Sequence, residues 1–104
     1  MEKEFVPYEL SIELKELGFD EPCFGGWDKN KKWYYHPDSD IIVDAPLWQQ
    51  AFDWCLNKIP QYSIRICYNK TGEILIVDHT IDIFNYFTEC LEILIDLIEE
   101  EIND

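Results

Sequence analysis

The sequence predicts an α+β fold, with three helices packed on a small, mainly antiparallel sheet in the order α-β-β-(β)-α-β-β-α. Three observations carry this reading. Apolar residues recur at helical spacing in three separate segments. Between them lie short runs rich in aromatic and β-branched residues. Those runs are bounded by Gly, Pro, Asn and Asp, residues that turn the chain.

The first helix is expected over residues 7–17. Pro7 suits the first helical position, where its missing N–H is not needed. Leu10, Leu14 and Leu17 form one stripe, Glu9, Glu13 and Glu16 fall off it, and Gly18 stands where a C-terminal cap belongs.

Residues 19–44 change character. Cys23-Phe24-Gly25-Gly26-Trp27 reads as a short strand with a glycine bulge or a close backbone approach. Asp28-Lys29-Asn30-Lys31 makes a polar turn, and Lys32-Trp33-Tyr34-Tyr35-His36 returns as the second arm of a hairpin. Pro37-Asp38-Ser39-Asp40 turns the chain again, and Ile41-Ile42-Val43 is a candidate third strand.

The second helix is placed at residues 45–58, with Asp44 as its N-cap, Pro46 in its first turn and Pro60 beyond its end. Trp48, Ala51, Phe52, Cys55 and Ile59 form its apolar stripe, widened by Leu47 and Trp54. Alternation at Tyr62, Ile64, Ile66 and Tyr68, the turn Asn69-Lys70-Thr71-Gly72 and a return over 73–78 predict a second hairpin. Thr80 then caps the last helix, with Asp82 in its first turn. Its buried stripe is Phe84, Phe87, Leu91, Leu94, Ile95, Ile98 and Ile102.

A chain of 104 residues has room for a single α+β domain spanning 1–104, and 47% hydrophobic and 15% aromatic residues supply its core. The opening Met1-Glu2-Lys3-Glu4 has no basic region followed by an apolar run, and every Ile/Leu-rich stretch is broken by acids. Neither export nor a bilayer span is therefore expected, and a cytoplasmic location is. Cys23, Cys55, Cys67 and Cys90 are widely spaced without a CxxC pair, which favours reduced core thiols over a zinc site.

Charge is the feature that departs most from the ordinary. The net charge is −14, and residues 71–104 hold ten Asp/Glu with no Lys or Arg. Such a surface repels phosphates, which disfavours nucleic-acid and anionic-membrane partners and suits basic proteins or divalent cations. On the last helix Glu89, Glu92, Asp96, Glu99 and Glu100 form a regular acidic ridge. Glu92/Asp96 and Asp96/Glu100 are like-charge i,i+4 pairs, each costing roughly 0.2–0.5 kcal/mol. A solvated face is the simple reading of that ridge; a contact surface relieved by a basic partner is the functional one.

Other candidate sites carry less. His36 near Asp38 and Asp40, and His79 near Asp78 and Asp82, have the types for a metal or general-base site but lack further ligands at the right spacing. Gly25-Gly26 matches neither phosphate-loop pattern. Trp33 and Tyr35 either face outward as an apolar contact patch or pack over a helix. No catalytic, cofactor-binding or metal residue is assigned.

Phe5-Val6-Pro7-Tyr8-Glu9-Leu10, Leu14-Lys15-Glu16-Leu17-Gly18-Phe19-Asp20-Glu21-Pro22-Cys23 and Ala45-Pro46-Leu47-Trp48-Gln49-Gln50-Ala51-Phe52-Asp53-Trp54 together resemble a family of small proteins of gut Bacteroidetes, their phages and mobile elements. The likeness covers the first half well and the second loosely, through the helix with Glu89-Cys90-Leu91. Relatives usually carry Lys or Arg in the second and last helices, where this chain has Leu56 and Ile93 and an acidic last helix. The resemblance implies a fold and a mobile-element context, not a reaction. The expectation is a non-catalytic protein-interaction factor, self-associating or inhibiting a basic nucleic-acid-binding host protein. A small ligand-binding domain or enzyme with a pocket outside known motifs is the alternative.

Overall fold

The computed structural model describes residues 4–62, 65–68, 74–77, 83–84 and 87–103. Among the described residues it is an α+β structure of three α-helices and antiparallel strands. The chain divides into two compact units, Met1–Ala51 and Phe52–Asp104.

In the first unit, helix α1 spans Tyr8–Glu16. Pro7 sits one position earlier than expected, as the N-cap, in an extended conformation with no side-chain cap. Its carbonyl accepts the first helical bond from Ser11 N at 2.9 Å. The predicted glycine stop is present. Gly18, at φ +102°, donates to the Lys15 carbonyl, and Phe19 donates back to the Leu14 carbonyl. That paired pattern is a Schellman cap, and it turns Phe19 toward the interior, where both it and Leu14 are buried.

Three short strands follow: β1 (Gly25–Trp27), β2 (Trp33–Tyr35) and β3 (Val43–Asp44), in the sheet order β2-β1-β3. Trp27 pairs with Trp33 on one side and Val43 on the other. The glycines reflect close approach. A methyl on Gly25 would strike the Tyr34 carbonyl and the Trp33 ring, and one on Gly26 the Val43 carbonyl and Ile41. The hairpin turn is stapled by Asp28, whose carboxylate accepts from Asn30 N at 2.8 Å and Lys32 N at 2.9 Å. Lys31 takes the left-handed position at φ 65°. Its ammonium reaches Glu9 of α1 at 2.6 Å and lies over the Tyr8 ring. Helix α1 lies against β3, and Phe5, Trp27, Val43 and Ala45 form the local core, covered by Tyr8, Ile12, Trp33 and Leu47.

Helix α2 spans Trp48–Lys58, three residues later than the expected start. Asp44 is not its cap, because it pairs with Gly26 in β3. Leu47 bridges Phe5, and its carbonyl accepts the first helical bond from Ala51 N. Most of the expected stripe holds: Ala51, Phe52, Cys55 and Ile59 are buried, with Trp54 beside them, while Trp48 and Leu47 are half-buried; Gln49, Asp53 and Asn57 are exposed.

The second unit continues through a 3-10 turn, Pro60–Tyr62, into β4 (Arg65–Tyr68), β5 (Ile74–Val77) and β6 (Ile83–Phe84), antiparallel in that order. Helix α3 (Phe87–Asn103) packs against β5 and β6. Strand β6 is a correction: Phe84 was expected on the last helix. Ile83 and Phe84 instead pair with Leu75 and Ile74, covering an edge of β5 that would otherwise be bare. The helix consequently begins at Phe87, whose ring meets Phe52 edge-on at 5.9 Å. The expected turn at 69–72 and the junction at 78–82, with His79, Thr80 and Asp82, lie outside the described residues. Leu91, Leu94, Ile95 and Ile98 are buried as expected, and Cys90 joins them. Ile102 does not: it is 63% exposed in the last turn. Burying each Leu or Ile contributes roughly 1.5–3 kcal/mol. That outweighs the like-charge repulsion on the opposite face.

Candidate binding surfaces

The acidic ridge of α3 lies where its spacing put it. Glu89, Glu92, Asp96 and Glu100 are exposed and Glu99 is partly covered, opposite the stripe from Cys90 to Ile98. The last turn holds no basic residue. These carboxylates face outward and do not line an interior. Among the described residues no group of three or more His, Cys, Asp or Glu is arranged to hold a metal ion. Among them, too, no helix is long and apolar enough to cross a membrane.

The aromatic hairpin divides its two candidates. Trp33 is half-buried and belongs to the core, its ring stacked on Phe5 at 4.1 Å and meeting Trp27 edge-on at 5.5 Å. Tyr35, two residues on at the outer strand of the sheet, is 46% exposed, with its ring against the edge of Trp33. Phe24 is also exposed, and its carbonyl accepts from His36 N. The Lys32 ammonium lies over Tyr34, so the local basic residues are largely turned onto aromatic faces.

Sequence spacing grouped His36 with Asp38 and Asp40; a third surface sets His36 and Asp38 with Asp44 instead. An open cleft of about 300 Å³ lies between the end of α1 and the chain from His36 to Asp44. Its apolar wall is Phe19, Ile41, Ile42 and Val43; its polar residues are Lys15, His36, Asp38 and Asp44. His36 Nε2 lies 2.6 Å from Asp44 Oδ1. The pair spans two strand ends, so no short motif announces it. Lys15, in the last turn of α1, donates to the Ile42 carbonyl at 3.1 Å. Asp38 accepts from Asp40 N at 2.9 Å, and Ile42 N donates to the Trp27 carbonyl at 2.9 Å, so both ends of the loop are tied down.

Cys23 stands near this cleft without being activated. Burial, and then the Asp44 and Glu21 carboxylates, push its thiol up to about 12. It stays protonated and is no nucleophile at neutral pH. A second open cleft, about 440 Å³, lies over Asp28, Tyr34 and Asp40, but the Asp28 carboxylate is already engaged by the turn amides. No family model, curated protein or solved structure matches the chain.

Proposed function

We propose that this protein is a non-catalytic, cytoplasmic interaction factor of phage or mobile-element origin that binds a basic protein. The observation carrying the reading is the outward row of carboxylates on α3, set on a helix whose other face is buried from Cys90 to Ile98 through Leu91, Leu94 and Ile95. A rigid helical row of negative charge resembles a phosphate backbone in its spacing of like charges. A nucleic-acid-binding host protein is the kind of target it would occupy, and direct binding of nucleic acid is disfavoured by the net charge of −14. The mobile-element context rests on the likeness of the segments around Pro7, Gly18 and Trp48.

The test is capture on immobilised protein at low and high salt, beside a variant carrying Glu89→Gln, Glu92→Gln, Asp96→Asn and Glu100→Gln. A partner held by the wild type, lost in the variant and displaced by duplex DNA supports the reading. Equal capture by both proteins removes α3 from the interface and defeats it.

A second reading, a small ligand-binding domain or enzyme, is favoured by the cleft beside His36 and Asp44. A thermal-shift screen against metals, nucleotides and small organic cations separates the two. Stabilisation by a nucleotide or metal would move this reading ahead.

A further inference from the structure

We propose that the cleft beside His36 and Asp44 is a recognition site for one cationic side chain, arginine or lysine, presented by a protein partner. This deepens the reading that the partner is basic, on which it rests, by naming the group it would seat and the place.

The cleft has a two-part lining that matches a two-part ligand. Phe19, Ile41 and Val43 offer apolar wall, and Asp38 and Asp44 offer carboxylates. Long basic side chains have the complementary build, an apolar stem that packs and a charged head that seeks acceptors. The volume of about 300 Å³ suits one such chain rather than a folded segment. A guanidinium adds several N–H donors spread over one plane, enough to reach more than one carboxylate oxygen.

The two carboxylates outnumber the single ammonium in the lining. Lys15 lines the same cleft, and its ammonium donates to the Ile42 carbonyl at 3.1 Å, bracing the wall while keeping its charge. Asp44 meets His36 through Oδ1, and a carboxylate has a second oxygen to offer. Cys23 senses the same local field, its thiol raised by burial and by Asp44 and Glu21. An anionic ligand would meet both carboxylates and is disfavoured.

The experiment is an NMR titration of the full-length, ¹⁵N-labelled protein with N-acetyl-arginine amide and with its neutral isostere, N-acetyl-citrulline amide. The arginine compound should shift the amide signals of residues 36–44 with a Kd of about 1 mM, and bind roughly tenfold tighter than the citrulline compound. Asp44→Asn should remove most of that difference, and His36→Ala, which releases Asp44 from its present partner, should tighten binding. If Asp44→Asn does not fold, Asp38→Asn carries the same test. Equal binding of the two compounds, shifts confined to α3, or undiminished arginine binding in the carboxylate variant would each overturn the site. Failure here beside successful capture through α3 discards only the cleft. Binding here without any captured partner keeps the cleft and discards the interaction reading.

Discussion

Trp27 donates its indole N–H to the carbonyl oxygen of Val6 at 2.9 Å, and thereby ties the central strand of the first sheet to the segment that launches α1. The same oxygen accepts the Ser11 hydroxyl at 3.1 Å, and Val6 N donates to the Pro46 carbonyl at 2.9 Å. Val6 is fully buried, so each of these bonds replaces one to water. Three parts of the chain that are far apart in sequence meet at the backbone of one residue.

Trp27→Phe leaves that oxygen with Ser11 alone and should cost about 1–3 kcal/mol in urea unfolding. Trp33 supplies the control. Its indole nitrogen is buried with no hydrogen-bond partner among the described residues. Trp33→Phe relieves an unmet donor while giving up some stacking on Phe5, and should stay within about 1 kcal/mol of the wild type. Equal losses in the two variants would mean that ring packing, not the Val6 bond, sets the value of Trp27.

The glycines should separate by mechanism. Gly18 has open space around it but φ +102°, so Gly18→Ala should cost about 1–2 kcal/mol from backbone strain. Gly26→Ala drives a methyl into the Val43 carbonyl and Ile41, and overpacking of this kind costs about 1–3 kcal/mol or more. Denaturant midpoints should therefore rank wild type, Gly18→Ala, then Gly26→Ala. A reversed order would show that the sheet can open to admit a side chain.

Acid should weaken the first hairpin through Asp28. The Lys32 backbone N–H, with further help from Asn30, Tyr34 and the Lys32 charge, holds its carboxyl below the ordinary 3.8. A carboxyl depressed in the folded state contributes stability that is fully present above its unfolded pKa and lost as pH falls through the folded value. Asp28→Asn should therefore be less stable than the wild type at neutral pH, and the gap should close as pH drops below 3.8. Unfolding curves at several pH values check it; a gap independent of pH would sink the idea.

The buried thiols should resist alkylation. Burial pushes Cys55 up to about 12, with Cys90 adding to it, and burial alone does the same for Cys90. Both are completely inaccessible. Iodoacetamide at pH 8 should leave them unmodified in native protein and label them after denaturation, as mapped by mass spectrometry. Rapid native labelling at either position would reveal opening of the contact between α2 and α3.

The α+β class, the helix order and the two antiparallel hairpins were legible in the residues because each follows from local chemistry. Periodicity along a helix, the glycine stop at 18 and the carboxylate row on α3 involve neighbours a turn or two apart. That is the range over which sequence spacing maps directly onto a face. The acidic candidates therefore appear in the structure on the side where the pattern put them.

Tertiary structure decided what local pattern could not rank. Asp44 has the chemistry of a helix cap, yet pairing with Gly26 and contact with His36 claim it first. Trp33 and Tyr35 share one face of a strand. Only the placement of Phe5 makes one of them core and leaves the other partly exposed. Ile83 and Phe84 fit a helical stripe until the open edge of β5 offers backbone partners. The cleft, likewise, exists only because the end of α1 is brought beside the residues from His36 to Asp44. Contacts between distant segments depend on which alternatives the whole chain satisfies at once, and that competition is absent from any short stretch of sequence.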